Sequence, residues 1–382
     1  MIRARAAQIY RDNAQSWVAP APTGTGTTIW VQTAATGGND STGNGSSGSP
    51  YATLHKADSV ATAGSVIRVR PGTYQVGTSA TYALSAAGTS SNRITWWSEG
   101  LHQAKLIPAA TSNAEFMLVK LSGGYQNFMG FDVSGLGGTT ANGNPFHWGV
   151  YAYCVNPVTV QYCYVHDILT DQTEFNNTTS NGSGGAGINM DASLGLSGVL
   201  VDGNIVTSIG FPNTSSPEIH AIYVVAAGTY SNNLVYNVSD GIQSYHHMTS
   251  VWILNNTVDN CANIGILIAA SGADGNHCRV YNNIISNGSR GIIEAATTGT
   301  DNIYLNNTIF NMSSTAISLQ NGLTATGTLT TDPQYVNRPA HNFHLLHSSP
   351  SYRAGTSTTP VTSTDQRGFT RSAPRDRGCY QE

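Results

Sequence analysis

The chain is poor in charge. Lys, Arg, Asp and Glu together make up 10% of its 382 residues, against roughly 25% in an ordinary soluble protein. The positive charges are also unevenly placed: no Lys or Arg occurs from Leu121 to Cys278, and no Lys follows Lys120. With a formal net charge of -4, the chain lacks the basic face that a nucleic-acid partner requires. It also lacks any apolar run near the roughly 18 residues that span a membrane. The longest, Ile264 to Ala270, suits one short strand. The first residues, Met1 to Asn13, carry charges without an apolar centre, so no signal peptide is expected. Cysteine is scarce and odd in number: Cys154, Cys163, Cys261, Cys278 and Cys379 show no CxxC spacing. That argues against a disulfide framework or a zinc site.

What the chain has instead is Gly, at 41 residues, with Asn, Ser and Thr in almost every row and 40% hydrophobic residues. Low charge signals disorder only when apolar content is low too. The combination predicts an all-β protein of short strands and many tight turns. Its length could hold two average domains, but elongated β architectures often run this long as one.

An internal repeat carries the fold. Gly203-Asn204-Ile205-Val206, Asn232-Asn233-Leu234-Val235, Asn255-Asn256-Thr257-Val258, Asn282-Asn283-Ile284-Ile285 and Asn306-Asn307-Thr308-Ile309 share a motif. Its second residue falls at 204, 233, 256, 283 and 307, in steps of 29, 23, 27 and 24. A small residue followed by an aliphatic one alternates with it: Gly149-Val150, Gly187-Ile188, Ala221-Ile222, Gly241-Ile242, Gly265-Ile266, Gly291-Ile292 and Ala316-Ile317. The flanking residues alternate apolar and polar, which is strand patterning rather than a helical period. Each step suits one coil of three short strands, stacked on the last at roughly 4.8 Å. The recurrent Asn is expected to stack in a turn, with Cys163 in the same slot and merely packed. This predicts a right-handed parallel β-helix.

The ends differ, as solenoid ends do. A strand is expected at Thr28 to Gln32, a loop at Gly37 to Ser49, a short amphipathic helix at Pro50 to Ala57, and a strand from Val66 to Tyr74. The helix would plug the open end of the coil and blunt edge pairing. Four segments follow: a leader at 1–27, a cap and first coils at 28–120, central coils with a groove at 121–330, and a C-terminal cap at 331–382.

These entry residues, above all "PYATLHKA" and "VIRVRPGTY", resemble the pectate-lyase-like superfamily of right-handed parallel β-helix proteins. The C-terminal pattern is similar too: Asp332-Pro333-Gln334-Tyr335-Val336, Asn342-Phe343-His344-Leu345, Ser349-Pro350, Ala354-Gly355, Asp365, Gly368, Arg371 and Asp376-Arg377-Gly378-Cys379-Tyr380. The resemblance covers about residues 28 to 382 and includes alginate-lyase and chondroitinase types. It implies the fold strongly and the substrate weakly, because this scaffold carries many chemistries. Arg5 to Asp12 also resembles the leader of some phage tail proteins, which implies a virion-borne or released depolymerase, a homotrimer in the tail-protein case. Otherwise the chain would act in the cytoplasm.

The small-aliphatic motif serves as a ruler. With its small residue at position 0, positions 1 and 3 point into the lumen and positions 2 and 4 outward. Inward slots read Val150/Ala152, Ile188/Met190, Ile222/Val224, Ile242/Ser244, Ile266/Ile268 and Ile317/Leu319, with Glu294 as an exception. Outward slots read Tyr151/Tyr153, Asn189/Asp191, Tyr223/Val225, Gln243/Tyr245 and then the bland Leu267/Ala269. His220 and Asp240 precede the small residue, and His246-His247 follow Tyr245. Aromatic and hydrogen-bonding groups on one open sheet suit sugar rings, and the resembled superfamily binds substrate on this kind of strand. The bland alternative is ordinary solvated decoration.

Two chemistries fit. β-Elimination from a uronate needs a group facing the carboxylate, a base, and an acid for the leaving oxygen. The resembled alginate-lyase type uses Lys and Arg, usually with calcium. Here the central coils carry neither, unless Lys120 or Arg279 reaches in. His220, Tyr245 and His246 are therefore the acid/base candidates, with Asp191 and Asp240 also catalytic candidates. Tyr151, Tyr153, Asn189, Tyr223, Gln243 and His247 are the candidate substrate contacts. Hydrolysis would instead need two carboxyl groups about 5 to 9.5 Å apart, available among Asp191, Glu218, Asp240, Asp167, Asp171 and Glu174. No cofactor is required by the sequence. Calcium suits such carboxylates, but no dense Asp cluster demands it. A polysaccharide lyase leads, a glycoside hydrolase follows, and a non-catalytic carbohydrate-binding spike stands third.

Overall fold

The computed structural model describes residues 22, 24–75, 81–108, 116–135, 147–169, 184–210, 218–246 and 248–382. Among these, three parallel sheets of eleven, nine and nine strands run the length of the molecule. The chain visits them in rotation. One coil passes from Ile219–Val224 to Ala227–Ser231 to Leu234–Val238, and the next begins at Asp240–Ser244. This is a right-handed parallel β-helix, the hand that parallel crossovers take.

The lumen follows the sequence ruler. Val150, Ile188, Ile222, Ile242, Ile266, Ile292 and Ile317 are successive register partners in one sheet. Such a row is stabilised by apolar burial, worth about 1.5 to 3 kcal/mol for a fully buried Ile. Glu294, opposite Ile268, is accommodated by donors rather than expelled. Tyr304 Oη and Asn302 Nδ2 donate to its Oε1 at 2.6 and 2.9 Å, and the Gln320 backbone N–H donates to Oε2 at 2.7 Å. A buried carboxylate is tolerable only with such partners.

The Asn motif forms a ladder. Asn256 Oδ1 accepts from both the backbone N–H and Nδ2 of Asn233 at 2.9 Å. Asn256 Nδ2 donates to Tyr230 O and to Asn283 Oδ1 at 2.9 and 3.0 Å. The same pattern links Asn204 to Asn233 and Asn283 to Asn307. Cys163 occupies the preceding rung, its N–H donating to Asn204 Oδ1 at 2.9 Å. A second Asn row lies four residues on, with Asn237, Asn260, Asn287 and Asn311 all at positive φ, a region Asn tolerates better than most residues.

The entry segment departs from expectation in two details. The stretch from Val66 to Tyr74 is not one strand but two, Val66–Val69 and Gly72–Gln75, which belong to different sheets and are separated by the turn at Arg70-Pro71. The capping helix is Leu54–Val60, not Pro50 to Ala57. Thr53 is the residue whose hydroxyl accepts from Lys56 N–H, so the helix starts there. Tyr51 is already engaged as a strand partner, exchanging backbone hydrogen bonds with Trp30 and Gln32. Leu54 and Ala57 are buried in the core with Val31 and Leu84. Residues 331–382 lie along the flank of the coils. Arg371 donates to Asn232 Oδ1 at 3.0 Å, and Asn255, Asn282 and Asn306 donate to the backbone of Asp376, Thr356 and Ala354. The leader at Arg5 to Asp12 lies outside the described residues.

Candidate functional site

The nine-stranded sheet built from the small-aliphatic motif carries three outward rows. One runs Lys120, Tyr151, Asn189, Tyr223, Gln243, Leu267, Ile293. A second, two residues later, pairs Tyr153 with Asp191. The third, on the other side, runs Trp148, Ala186, His220, Asp240.

A cavity of about 460 Å³ opens on this face, with Trp148, Tyr151, Asn189, Asp191, Tyr223 and His246 in its wall. Its aromatic side is ordered. Trp148 stands edge-on to Tyr151 at 5.4 Å and stacks with Tyr223 at 6.5 Å, and Tyr223 meets the His246 ring edge at 6.1 Å. Its polar side centres on Asp191. The Tyr151 hydroxyl donates to Asp191 Oδ2. Asp191 Oδ1 accepts from the Ser193 backbone N–H and hydroxyl at 2.7 and 2.5 Å. Burial pushes the Tyr223 hydroxyl well above its ordinary value, with Tyr245, Asp191 and Glu218 adding to the rise. At the N-terminal end, Lys120 Nζ sits 4.9 Å over the Tyr153 ring.

Two buried polar atoms of the wall, Trp148 Nε1 and Asn189 Oδ1, have no hydrogen-bond partner among the described residues. One is a donor and one an acceptor, and each is costly to leave unmet. A ligand carrying hydroxyl groups satisfies both.

Other sequence candidates lie elsewhere. His220 and Asp240 are beneath the surface, 4% and 1% exposed. The His220 ring stacks under Tyr223 at 4.4 Å, and burial pushes its pKa down to about 3, so it is neutral. Asp240 is pushed up to about 7, also by burial, against hydrogen bonds from Ile264 and Asn263 and the charge of Arg290. Tyr245 packs toward the apolar cluster of Ile264, Leu267 and Ile293 while its ring meets His246 at 4.8 Å. Gln243 is buried beside Tyr223, and Glu218 is exposed just before Ile219–Val224. Asp167 is bonded to His166 on another sheet. His247, Asp171 and Glu174 lie outside the described residues. Arg279 belongs to the eleven-stranded sheet and donates to the carbonyls of Cys278 and Asp301. Among the described residues no group of three His, Cys, Asp or Glu side chains is placed to hold a metal ion.

One residue escaped the sequence reading. Trp148 stands just before Gly149, the slot already occupied by His220 and Asp240, so the ruler contained it. Lys120, named in the sequence only as a flanking cation, has its place in the row from its pairing with Tyr151, because Leu118 fills the slot that is small in later coils and the motif does not extend to that strand.

The fold is that of the pectate-lyase-like parallel β-helix proteins. The chain is similar in structure to pectate lyase Pel9A, with 15% identity over 97% of this chain and 99% of that one and a TM-score of 0.58. It is similar to XylC in complex with xylose at 12% identity over 79% and 68%, TM-score 0.55. It also resembles a rhamnogalacturonan lyase at 14% identity over 80% and 85%, TM-score 0.50. Residues 36–90 match a protein family of unknown function, DUF1565. No curated protein matches in sequence. Among the described residues no helix is long and apolar enough to cross a membrane.

Proposed function

We propose that the protein is a polysaccharide-degrading enzyme, a lyase acting by β-elimination on an acidic, uronate-containing extracellular or capsular glycan. The observation that carries this reading is the Tyr151–Asp191 pair in the wall of an aromatic groove with Lys120 at one end. Trp148 and Tyr223 offer ring faces to sugars, and the unmet Trp148 Nε1 and Asn189 Oδ1 suit sugar hydroxyls. Two of the structural neighbours are polysaccharide lyases and one is a complex with xylose, which agrees with a glycan ligand.

In this scheme Lys120 faces the uronate carboxylate and lowers the cost of charge developing there. The Tyr151 oxygen removes the proton beside the carboxylate as its own proton passes to Asp191. The electron pair left on carbon forms the double bond, the glycosidic C–O bond breaks, and His246 protonates the leaving oxygen. This moves the proton transfers away from His220 and Tyr245, because His220 is covered by Tyr223.

A second reading, hydrolysis, draws on one observation: Asp191 shares the cavity wall with Tyr223, and Glu218 is exposed just before the strand that carries Tyr223. Incubation with a panel of acidic and neutral polysaccharides separates the two. The lyase reading expects unsaturated products that absorb in the ultraviolet, from acidic glycans only. Reducing ends released without that absorbance replace it with hydrolysis. Binding with neither product leaves a carbohydrate-binding spike.

A further inference from the structure

A second cavity, of about 420 Å³, lies outside the groove, where the chain turns from one nine-stranded sheet to the other after Thr257–Cys261, Ile284–Ser286 and Thr308–Phe310. Its size falls in the range of about 300 to 1,000 Å³ usual for small-molecule sites. Asn260, Asn287, Asn311, Ser289, Ser313 and Arg338 line it, and no aromatic ring among the described residues does. Its ligand is therefore polar.

Arg338 comes from the C-terminal segment, at the bend between the paired strands Tyr335–Asn337 and Asn342–Leu345. Tyr335 fastens that bend to the coils, its hydroxyl 2.9 Å from Ser286 Oγ. Arg338 Nε donates to both oxygens of Asp259 at 3.0 and 2.9 Å. Asp259 Oδ1 also accepts from Ser286 Oγ and Asn287 Nδ2, at 2.7 and 2.8 Å. The two η nitrogens of Arg338 have no hydrogen-bond partner among the described residues, and the side chain is 41% exposed.

The second Asn row is interrupted at this point. Asn260 Nδ2 donates to Asn237 Oδ1 at 2.7 Å, and Asn311 Nδ2 to Asn287 Oδ1 at 2.8 Å. The link from Asn287 to Asn260 is missing, because Asn287 Nδ2 is turned to Asp259. Asn260 Oδ1 is left without a partner among the described residues. The first ladder, by contrast, is continuous from Asn204 to Asn307. The break costs the row one hydrogen bond and leaves a free acceptor and a free donor fork in the wall of one cavity.

We propose that this cavity is a second carbohydrate site, which holds one uronate unit away from the groove. The end-on pair Nη1 and Nη2 of Arg338 matches a carboxylate through two parallel hydrogen bonds. Asn260 Oδ1 accepts from a ring hydroxyl, and the hydroxyls of Ser289 and Ser313 serve others. Asp259 balances the charge of Arg338, so recognition depends on the geometry of the fork more than on net charge. A neutral sugar or a bare inorganic anion satisfies only part of the site. That the unit belongs to the polymer cut in the groove rests on the acidic-glycan reading, whereas the affinity for a uronate does not.

Nitrogen NMR of ¹⁵N-arginine-labelled protein, titrated with D-galacturonate, tests the site directly. The Arg338 side-chain signal, assigned by its loss in Arg338→Lys, should shift saturably. D-Galactose and inorganic phosphate should leave it in place. A wild-type signal that does not shift, or that shifts as far with galactose or phosphate, overturns the proposal. Ser313 is exposed, and Ser313→Asp adds a like charge to the wall without altering Arg338 or Asp259. It should weaken galacturonate about fivefold at low salt, the upper range for an exposed charge. Lys120→Met, in the groove, should leave the Arg338 titration unchanged. On a cleavable acidic polysaccharide Ser313→Asp should raise KM at unchanged kcat. A galacturonate shift with KM unaltered on the polymer would overturn the link to the groove. If no glycan is cleaved while the Arg338 shift persists, the proposed function falls and the second site stands.

Discussion

Two halves of one sheet differ sharply although they share backbone, register and lumen. From Lys120 to His246 the outward slots hold Lys, Tyr, Asn, Asp, Gln and His, whereas from Leu267 to Ala295 they hold Leu, Ala and Ile. Both halves sit over the same stacked isoleucines. The difference teaches that the coil is specified by its inward rows and its Asn ladder, and that the outward rows are left to vary. A groove can therefore be placed on one stretch of the scaffold without any cost to the register of the next.

The sharpest test of this division is Asp191→Asn. It should lower turnover on a cleavable acidic glycan by about 10² or more, the scale of losing a general acid or base, and Tyr151→Phe should do the same. Thermal melts of both variants should stay close to the wild type, because Tyr151→Phe keeps the ring packed against Trp148 and Asp191→Asn keeps the side-chain shape. Asn256→Ala should reverse the pattern. It strips the acceptor from Asn233 N–H and Nδ2, and each unmet buried group costs about 1 to 3 kcal/mol. Urea unfolding should register that loss while turnover per folded molecule is unchanged. A stable but inactive Asn256→Ala protein would break the separation between ladder and groove.

Lys120→Met should have a smaller effect, weakening oligogalacturonate about fivefold at low salt, the upper range of a partly screened ion pair. Neutral oligosaccharides should bind as before, which calorimetric titration can compare directly. Stability against pH gives a further contrast outside the groove. Protonated His166 donates from Nε2 to Asp132 Oδ1 and from Nδ1 to Asp167 Oδ2, at 2.8 Å on each side. These carboxylates raise its pKa despite the opposing effect of burial, which is the largest single influence. A raised histidine contributes stability that is fully present below its ordinary value of about 6.5. That contribution is lost as pH rises through the raised folded value. His166→Gln should therefore flatten the fall in urea stability on the alkaline side. In the bland half, Ile293→Thr should leave turnover unaltered while lowering the melting temperature, because Ile293 is buried in the apolar cluster with Ile264 and Leu267.

Much of this was legible in the residues because its period is enforced by physics. A lumen slot must be apolar and a ladder slot must carry an amide, so Ile222 and Asn256 could be assigned by spacing alone. The second Asn row was equally present, four residues after the first, yet its meaning depends on backbone turns at Asn237 and Asn260 that spacing does not reveal. The capping helix was placed early because amphipathic pattern cannot tell that Tyr51 is needed as a strand partner.

The outward rows obey no such period, and there the sequence reached only the membership of a face. It put His220, Asp240, Tyr151, Asp191 and Tyr223 on one side of the sheet. Depth was decided in three dimensions: Tyr223 lies over His220, while Asp191 stays open to the cavity and receives the Tyr151 hydroxyl. Lys120 joined the face only through its register with Tyr151, thirty-one residues away in the chain. By itself the sequence determined the coil, its lumen and its ladder, since each of those is repeated and locally encoded. Only the tertiary structure decided which polar side chains are covered and which meet one another, because that depends on how unequal side chains from different coils fill the space above the sheet.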